Sequence, residues 1–205
     1  MSIYAFKPRF QALLRPIVRA LHRAGVTANQ VTLFACVISI AAGTAVALNA
    51  DDLRWFLLIP VWFFLRMAFN AIDGMLAREH DQRSVLGAYL NELTDVVSDA
   101  ALYVPFAFLP GVHPLVLGGV VLLAAVSEMT GVLGSALGAS RRYDGPMGKS
   151  DRAFVFGALG LSIGLGVVPG EWLTFVLAGI GLLVCLTIVN RVRRGIAEID
   201  SRSSA

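Results

Sequence analysis

Apolar residues run along this chain in six long stretches, at about 30–50, 53–77, 85–109, 113–138, 151–169 and 171–191. Each is near the ~20 residues a helix needs to cross a bilayer. Polar or helix-breaking segments separate them: Asp51-Asp52, the charged turn 78–84, Pro110-Gly111, residues 139–150, and Pro169-Gly170. The fifth stretch is the weakest, because it opens on Asp151 and Arg152. Ahead of all six, residues 3–24 set Tyr4, Phe6, Phe10, Leu13, Leu14, Ile17, Val18 and Leu21 among Lys7, Arg9, Arg15, Arg19 and Arg23. That pattern fits an amphipathic helix lying on an anionic membrane surface, with a loosely ordered basic leader as the alternative. Pro8 and Pro16 should interrupt such a helix. The pattern predicts an all-α integral membrane fold of six transmembrane helices plus an N-terminal interfacial amphipathic helix. Residues 1–205 read as a single domain, with 1–26 the interfacial segment and 192–205 a cytoplasmic tail.

Composition agrees. Hydrophobic residues make up 57% of the chain and charged ones 15%, less charge than a soluble domain carries. Cys36 and Cys185 both lie in apolar runs and read as small buried hydrophobes. The first two dozen residues lack the continuous apolar core of a cleavable signal peptide. The net charge of +3 matters less than where the charges sit. The N-terminal segment, the 78–83 turn, the 139–152 loop and the tail (Arg191, Arg193, Arg194, Arg202) hold nearly all the Lys and Arg, whereas the other three connections contain just Arg54. Six spans with both termini cytoplasmic put every basic segment on one side, as the positive-inside rule requires.

Against this background the stretch 70–99 stands out. Carboxylates and carboxamides are expensive at membrane depth and need a reason to be there. Asn70 and Asp73 are three apart, with Ala77 four further on, and Gly87, Asn91, Asp95 and Asp99 step by four. Residues at those spacings share a helix face. The intervening Glu79-His80-Asp81-Gln82-Arg83 is short enough to turn the chain back. Two polar stripes then face each other as an antiparallel pair, making an oxygen-rich pocket suited to a hard cation such as magnesium.

The same stretch resembles the signature of the CDP-alcohol phosphatidyltransferase family, D-x2-D-G-x2-A-R-x8-G-x3-D-x3-D. The spacing holds at every step through Asn70, Asp73, Gly74, Ala77, Arg78, Gly87, Asn91 and Asp95, and the departures are Asn for Asp at 70 and 91. The asparagine-bearing version is similar to the YnbA-type branch of bacterial inner-membrane proteins. The resemblance implies an enzyme of the cell inner membrane, usually a homodimer. It would move a phosphatidyl group from CDP-diacylglycerol to a small alcohol acceptor and release CMP. It also implies divalent metal, Mg2+ or Mn2+, held by the motif acids at Asp73, Asn70, Asn91 and Asp95, with Asp95 as general base. Gly74, Ala77 and Gly87 would let the nucleotide approach the backbone, and Arg78 would hold a phosphate. Close helix packing is the alternative for the small residues, and interfacial snorkelling for Arg78.

Asparagine offers a metal one neutral carbonyl oxygen where aspartate offers charge and two oxygens. Three alternatives follow: one cation held tightly and a second only with substrate, compensation by other acids, or binding without turnover. Glu92, Asp99 and Glu128 are the candidate compensating acids; structural pairing, for instance with Arg66, is the alternative. Thr27-Ala28-Asn29-Gln30-Val31-Thr32 resembles the family's T-P-N-x-x-T lead into its first span, where Thr27 or Asn29 serves equally well as a helix cap. Arg141, Arg142, Lys149 and Arg152, with glycines between them, suit a phosphorylated headgroup, though positive-inside charge alone also explains them. Gly148-Lys149-Ser150 lacks the glycine-rich loop of a P-loop. The three histidines are scattered, and the basic charge is a topology signal rather than a nucleic-acid footprint. The acceptor expected first is glycerol 3-phosphate. The rivals are a non-catalytic CDP-lipid-binding membrane protein and a small transporter, the latter disfavoured because the acids cluster toward one leaflet.

Overall fold

The computed structural model describes residues 6–203, and every regular element among them is helical. The α-helices are α1 (Phe6–Arg23), α2 (Ala28–Leu48), α3 (Leu58–Glu79), α4 (Val85–Tyr103), α5 (Pro114–Ala136), α6 (Lys149–Gly164) and α7 (Glu171–Ser203), with 3-10 turns at Leu53–Leu57 and Val104–Phe108. Four helical segments are long and apolar enough to cross a membrane: Ala28–Leu48, Leu53–Glu79, Pro114–Ala136 and Glu171–Arg202. The other two expected spans appear as α4, which carries Glu92, Asp95 and Asp99, and α6, which has 16 residues.

Two local expectations are corrected. Helix α1 runs through Pro8 and keeps Pro16 inside it. It is held by tertiary packing: Leu14 and Val18 are buried against Val31 of α2 and Ile72, Met75 and Leu76 of α3. The last helix does not stop at 191: α7 continues to Ser203, and Glu198 accepts from Ser140 and Arg142 of the α5–α6 loop.

Helices α3 and α4, joined by the short turn, bring their polar stripes to the walls of one cleft. Helix α2 packs on both, and Arg66 of α3 reaches across to Asp95 and Asp99 of α4. A Cβ on Gly43 would stand 2.0 Å from the carbonyl oxygen of Ala101, so α2 and α4 meet backbone to backbone. The turn itself takes Asp81 at φ 53°, and Ser84 then caps α4 by accepting from the Gly87 N–H at 2.9 Å. Helix α5 packs along α7, and α6 packs on α3. The apolar core centres on Tyr103 stacked on Phe156 at 3.9 Å, with Phe106 edge-on to Phe156 at 5.3 Å.

The basic segments meet at one end of the bundle. Arg15 bonds Glu79 at 2.9 Å, His22 stacks on His80, and Gln82 accepts from the Ala28 N–H at 2.7 Å. At the opposite end Thr174 ties the α6–α7 connection to the α4–α5 connection through the His113 N–H and the Gly111 carbonyl.

Candidate functional site

The V left between α3 and α4 is a cleft of about 390 Å³, within the size range of small-molecule sites. It lies at the basic end of the bundle. Its walls include Asp73, Gly74, Ala77 and Arg78 from α3, and Gly87, Asn91 and Glu92 from α4. Ala28, Asn29 and Thr32 of α2 close the back, and Gln82, Arg83 and Ser84 of the turn form the rim. Six of the eight motif positions therefore line one chamber. The other two, Asn70 and Asp95, lie one helical turn further from the α3–α4 turn on their respective helices, half-buried and outside the lining.

Each wall residue has a local reason for its place. Thr27 makes a reciprocal capping box with Gln30 at the start of α2. That settles the cap on Thr27 and leaves Asn29 free to face the cleft. Thr32 donates its hydroxyl to Asp73 Oδ2 at 2.9 Å, fixing the carboxylate across the α2–α3 contact. A Cβ on Gly74 would come within 3.0 Å of the Arg78 guanidinium, so Arg78 lies back over its own helix against a bare backbone. A Cβ on Gly87 would stand 2.8 Å from Asn29 Oδ1, so this glycine serves close packing at the same point where it lines the cleft.

The acids fall into two kinds. Asp73 is buried, and among the described residues its side chain makes no ion pair; its side-chain donor is Thr32. Asp95 lies within electrostatic reach of Asp73 but is held by cations on both oxygens. Arg66 reaches Oδ1 at 3.0 Å, and Lys149, from the first turn of α6, contacts Oδ2. The candidate compensating acids are all partnered. Glu92 pairs with Arg141. Asp99 accepts from Arg66 at 2.5 Å and lies 3.5 Å from Arg152, while Glu128 takes Arg152 at 3.0 Å and Arg191 at 3.5 Å. Arg66, Asp99, Glu128, Arg152 and Arg191 form a buried charge cluster that ties α3, α4, α5, α6 and α7 together.

That cluster corrects two expectations about the basic loop. Arg152 is fully buried in it and is not available to a headgroup: a guanidinium at this depth is stable because two carboxylates surround it. Arg142 turns away toward Asp144 at 2.8 Å and Glu198 at 2.5 Å. Arg141 and Lys149 remain beside the cleft, Arg141 through Glu92 and a contact with the Tyr143 ring. Sequence reasoning passed over Gln82, Arg83 and Ala88, all of which line the cleft. Their signal was only their closeness to the motif.

Among the described residues no three His, Cys, Asp or Glu side chains converge as a metal cluster. The donor set nevertheless fits a divalent cation. Asp73 is a buried carboxylate without an ion-pair partner at the wall of a polar cleft, and Asn91 brings a carboxamide oxygen to the same chamber. Hard oxygen donors of this kind are what magnesium and manganese take.

The structure is thus an all-helical bundle with four segments apolar enough to span a membrane and an acid- and glycine-lined cleft between α3 and α4. The CDP-alcohol phosphatidyltransferase family model matches residues 25–189, and the chain belongs to that family and is an enzyme of that class. It is 42% identical over 193 residues, 94% of this chain and 96% of the other, to inner membrane protein YnbA of Escherichia coli. It is 26% identical over 190 residues, 90% and 85% of the two chains, to phosphatidylinositol phosphate synthase of Mycobacterium tuberculosis. The fold matches a crystal structure of the latter enzyme with CDP-DAG bound, at TM-score 0.71 and 23% identity, covering 88% of this chain and 92% of that one. A second structure of it, with manganese and citrate, gives TM-score 0.71 at 22% identity and covers 88% and 87%. The family works with divalent metal ions.

Proposed function

We propose that the chain transfers a phosphatidyl group from CDP-diacylglycerol to a phosphorylated small alcohol, with glycerol 3-phosphate the first candidate and inositol phosphate the second. The observation that carries this is the α3–α4 cleft, in which Asp73, Gly74, Ala77, Arg78, Gly87 and Asn91 line one chamber. The inositol phosphate alternative takes support from the relatives named as phosphatidylinositol phosphate and archaetidylinositol phosphate synthases. The enzyme works as a six-span homodimer in the lipid bilayer of the cell inner membrane, with α1 on the cytoplasmic surface and both termini cytoplasmic.

The nucleotide lies along Gly74, Ala77 and Gly87, where absent or small side chains leave the backbone open, and Arg78 holds a phosphate of the pyrophosphate. Asp73, with carboxamide oxygens from Asn91 and Asn70, would hold the divalent cation. When bound, that cation neutralises charge on the pyrophosphate oxygens, the main requirement of phosphoryl transfer. Asp95 accepts the proton of the attacking hydroxyl. Arg141 and Lys149 bind the acceptor's phosphate at the mouth of the cleft. Arg142 and Arg152 position the loop and the core and do not touch substrate.

The test is CMP release by the purified protein from CDP-diacylglycerol and Mg2+, across phosphorylated acceptors and their unphosphorylated counterparts. Turnover confined to phosphorylated acceptors, with a raised KM in Arg141→Ala, supports the reading. The paired state of Asp95 and the two asparagines favour a second reading, a CDP-lipid binder without turnover. CDP binding with no CMP from any acceptor would select it.

A further inference from the structure

The signature spacing calls for four carboxylates, whose four negative charges balance two divalent cations. Here Asn70 and Asn91 remove two of them. Every other acid near the cleft is occupied: Glu92 by Arg141, Asp99 by Arg66 and Arg152, and Glu128 by Arg152 and Arg191. Asp95 has a cationic side chain on each oxygen. A second divalent ion beside Asp95 would face the Arg66 guanidinium and the Lys149 ammonium across a few ångströms of partly buried space, where like charges repel strongly. Among the described residues that line the cleft, Asp73 is the carboxylate with no ion pair, and Thr32 donates to it.

We infer that this site takes a single divalent cation, at Asp73, and that the Lys149 ammonium stands on Asp95 where a second ion would otherwise sit. The inference deepens the nucleotide-lipid reading above and rests on it. A tethered ammonium supplies one positive charge at fixed stoichiometry, on a flexible four-carbon stem anchored at the N-terminus of α6. The same ammonium that contacts Asp95 lies beside the cleft mouth, within the reach of its stem toward a phosphate there. The two asparagines remove two negative charges, which matches the loss of one divalent cation.

The test counts Mn2+ bound per chain by equilibrium dialysis and electron paramagnetic resonance, using the purified full-length protein with saturating CDP. The wild-type chain and Lys149→Arg should bind one ion. Asn70→Asp/Asn91→Asp should take a second ion about tenfold or more weakly than the same pair combined with Lys149→Ala. Two ions of comparable affinity on the wild-type chain, or none, would overturn the inference without recourse to any variant. So would a second site in the double variant indifferent to Lys149. One-ion stoichiometry without CMP release would defeat the transferase reading and leave this inference standing, while two ions in an active enzyme would do the reverse.

Discussion

Replacing Asp99 by asparagine keeps the shape of the side chain and removes its charge. Asp99 is buried and accepts from Arg66 at 2.5 Å, with Arg152 3.5 Å away. Both guanidiniums are themselves buried. The variant leaves Arg66 leaning on Asp95 alone and Arg152 on Glu128 alone. Removing one partner of a buried pair costs about 3–5 kcal/mol, because the orphaned charge stays buried. The large end of that range applies here, since one carboxylate serves two cations. Unfolding of the detergent-solubilised protein, followed by gel filtration after graded heating, should show a midpoint well below wild type. The double change Asp99→Leu/Arg66→Met, which removes charge from both sides, should recover part of the loss. Mn2+ affinity in the presence of CDP should change little in Asp99→Asn, because Asp99 serves the scaffold rather than the ion. Stability within about 0.5 kcal/mol of wild type, or a collapse of Mn2+ binding in a folded variant, would refute this account and return Asp99 to the metal site.

Two further outcomes follow from the same geometry. Gly43→Ala should destabilise by about 1–3 kcal/mol despite alanine's better helix propensity, because the new Cβ meets the backbone oxygen of Ala101 at 2.0 Å; Gly118→Ala, with open space around it, should be neutral or stabilising in the same thermal assay. Burial opposes ionisation of Asp144, but the Arg142 hydrogen bond and the charges of Arg142 and Arg194 prevail and hold it below the usual carboxylate range. Its contribution is therefore complete at neutral pH and disappears as pH falls through the acid side of that range. Proteolysis or hydrogen exchange should find the 139–148 loop released from α7 only at pH below the usual carboxylate range, and Asp144→Asn should show that release already at neutral pH. A loop equally protected at both pH values would contradict it.

The positions that line the cleft were readable because their relation is local. Asp73, Gly74, Ala77 and Arg78 share a few turns of one helix, Gly87 and Asn91 share another, and periodicity alone puts each set on one face. The close seating of α2 on α4 was not readable in that way. It depends on Gly43 meeting Ala101, a pairing 58 positions apart in the chain that leaves no periodic trace. Pro16 misled for the same reason: local propensity argues for a break, and burial of Leu14 and Val18 overrides it.

The basic residues carry the deeper lesson. Counting Lys and Arg by loop identifies which segments lie together, since a count is indifferent to where each side chain points. It therefore groups Arg152 and Arg191 with Arg141 and Lys149. The structure separates them by partner: the first two are drawn into the core by Asp99 and Glu128, and the last two stay beside Glu92 and Asp95 at the cleft. An acid within an apolar span demands an answering cation in the fold. Glu128 and Asp99 thus predict some buried arginine, and only the packing of α6 and α7 decides which. The acids that looked like reserves for the metal were already committed to holding five helices together. That commitment leaves Asp73, among the described residues lining the cleft, as the carboxylate without an ion pair.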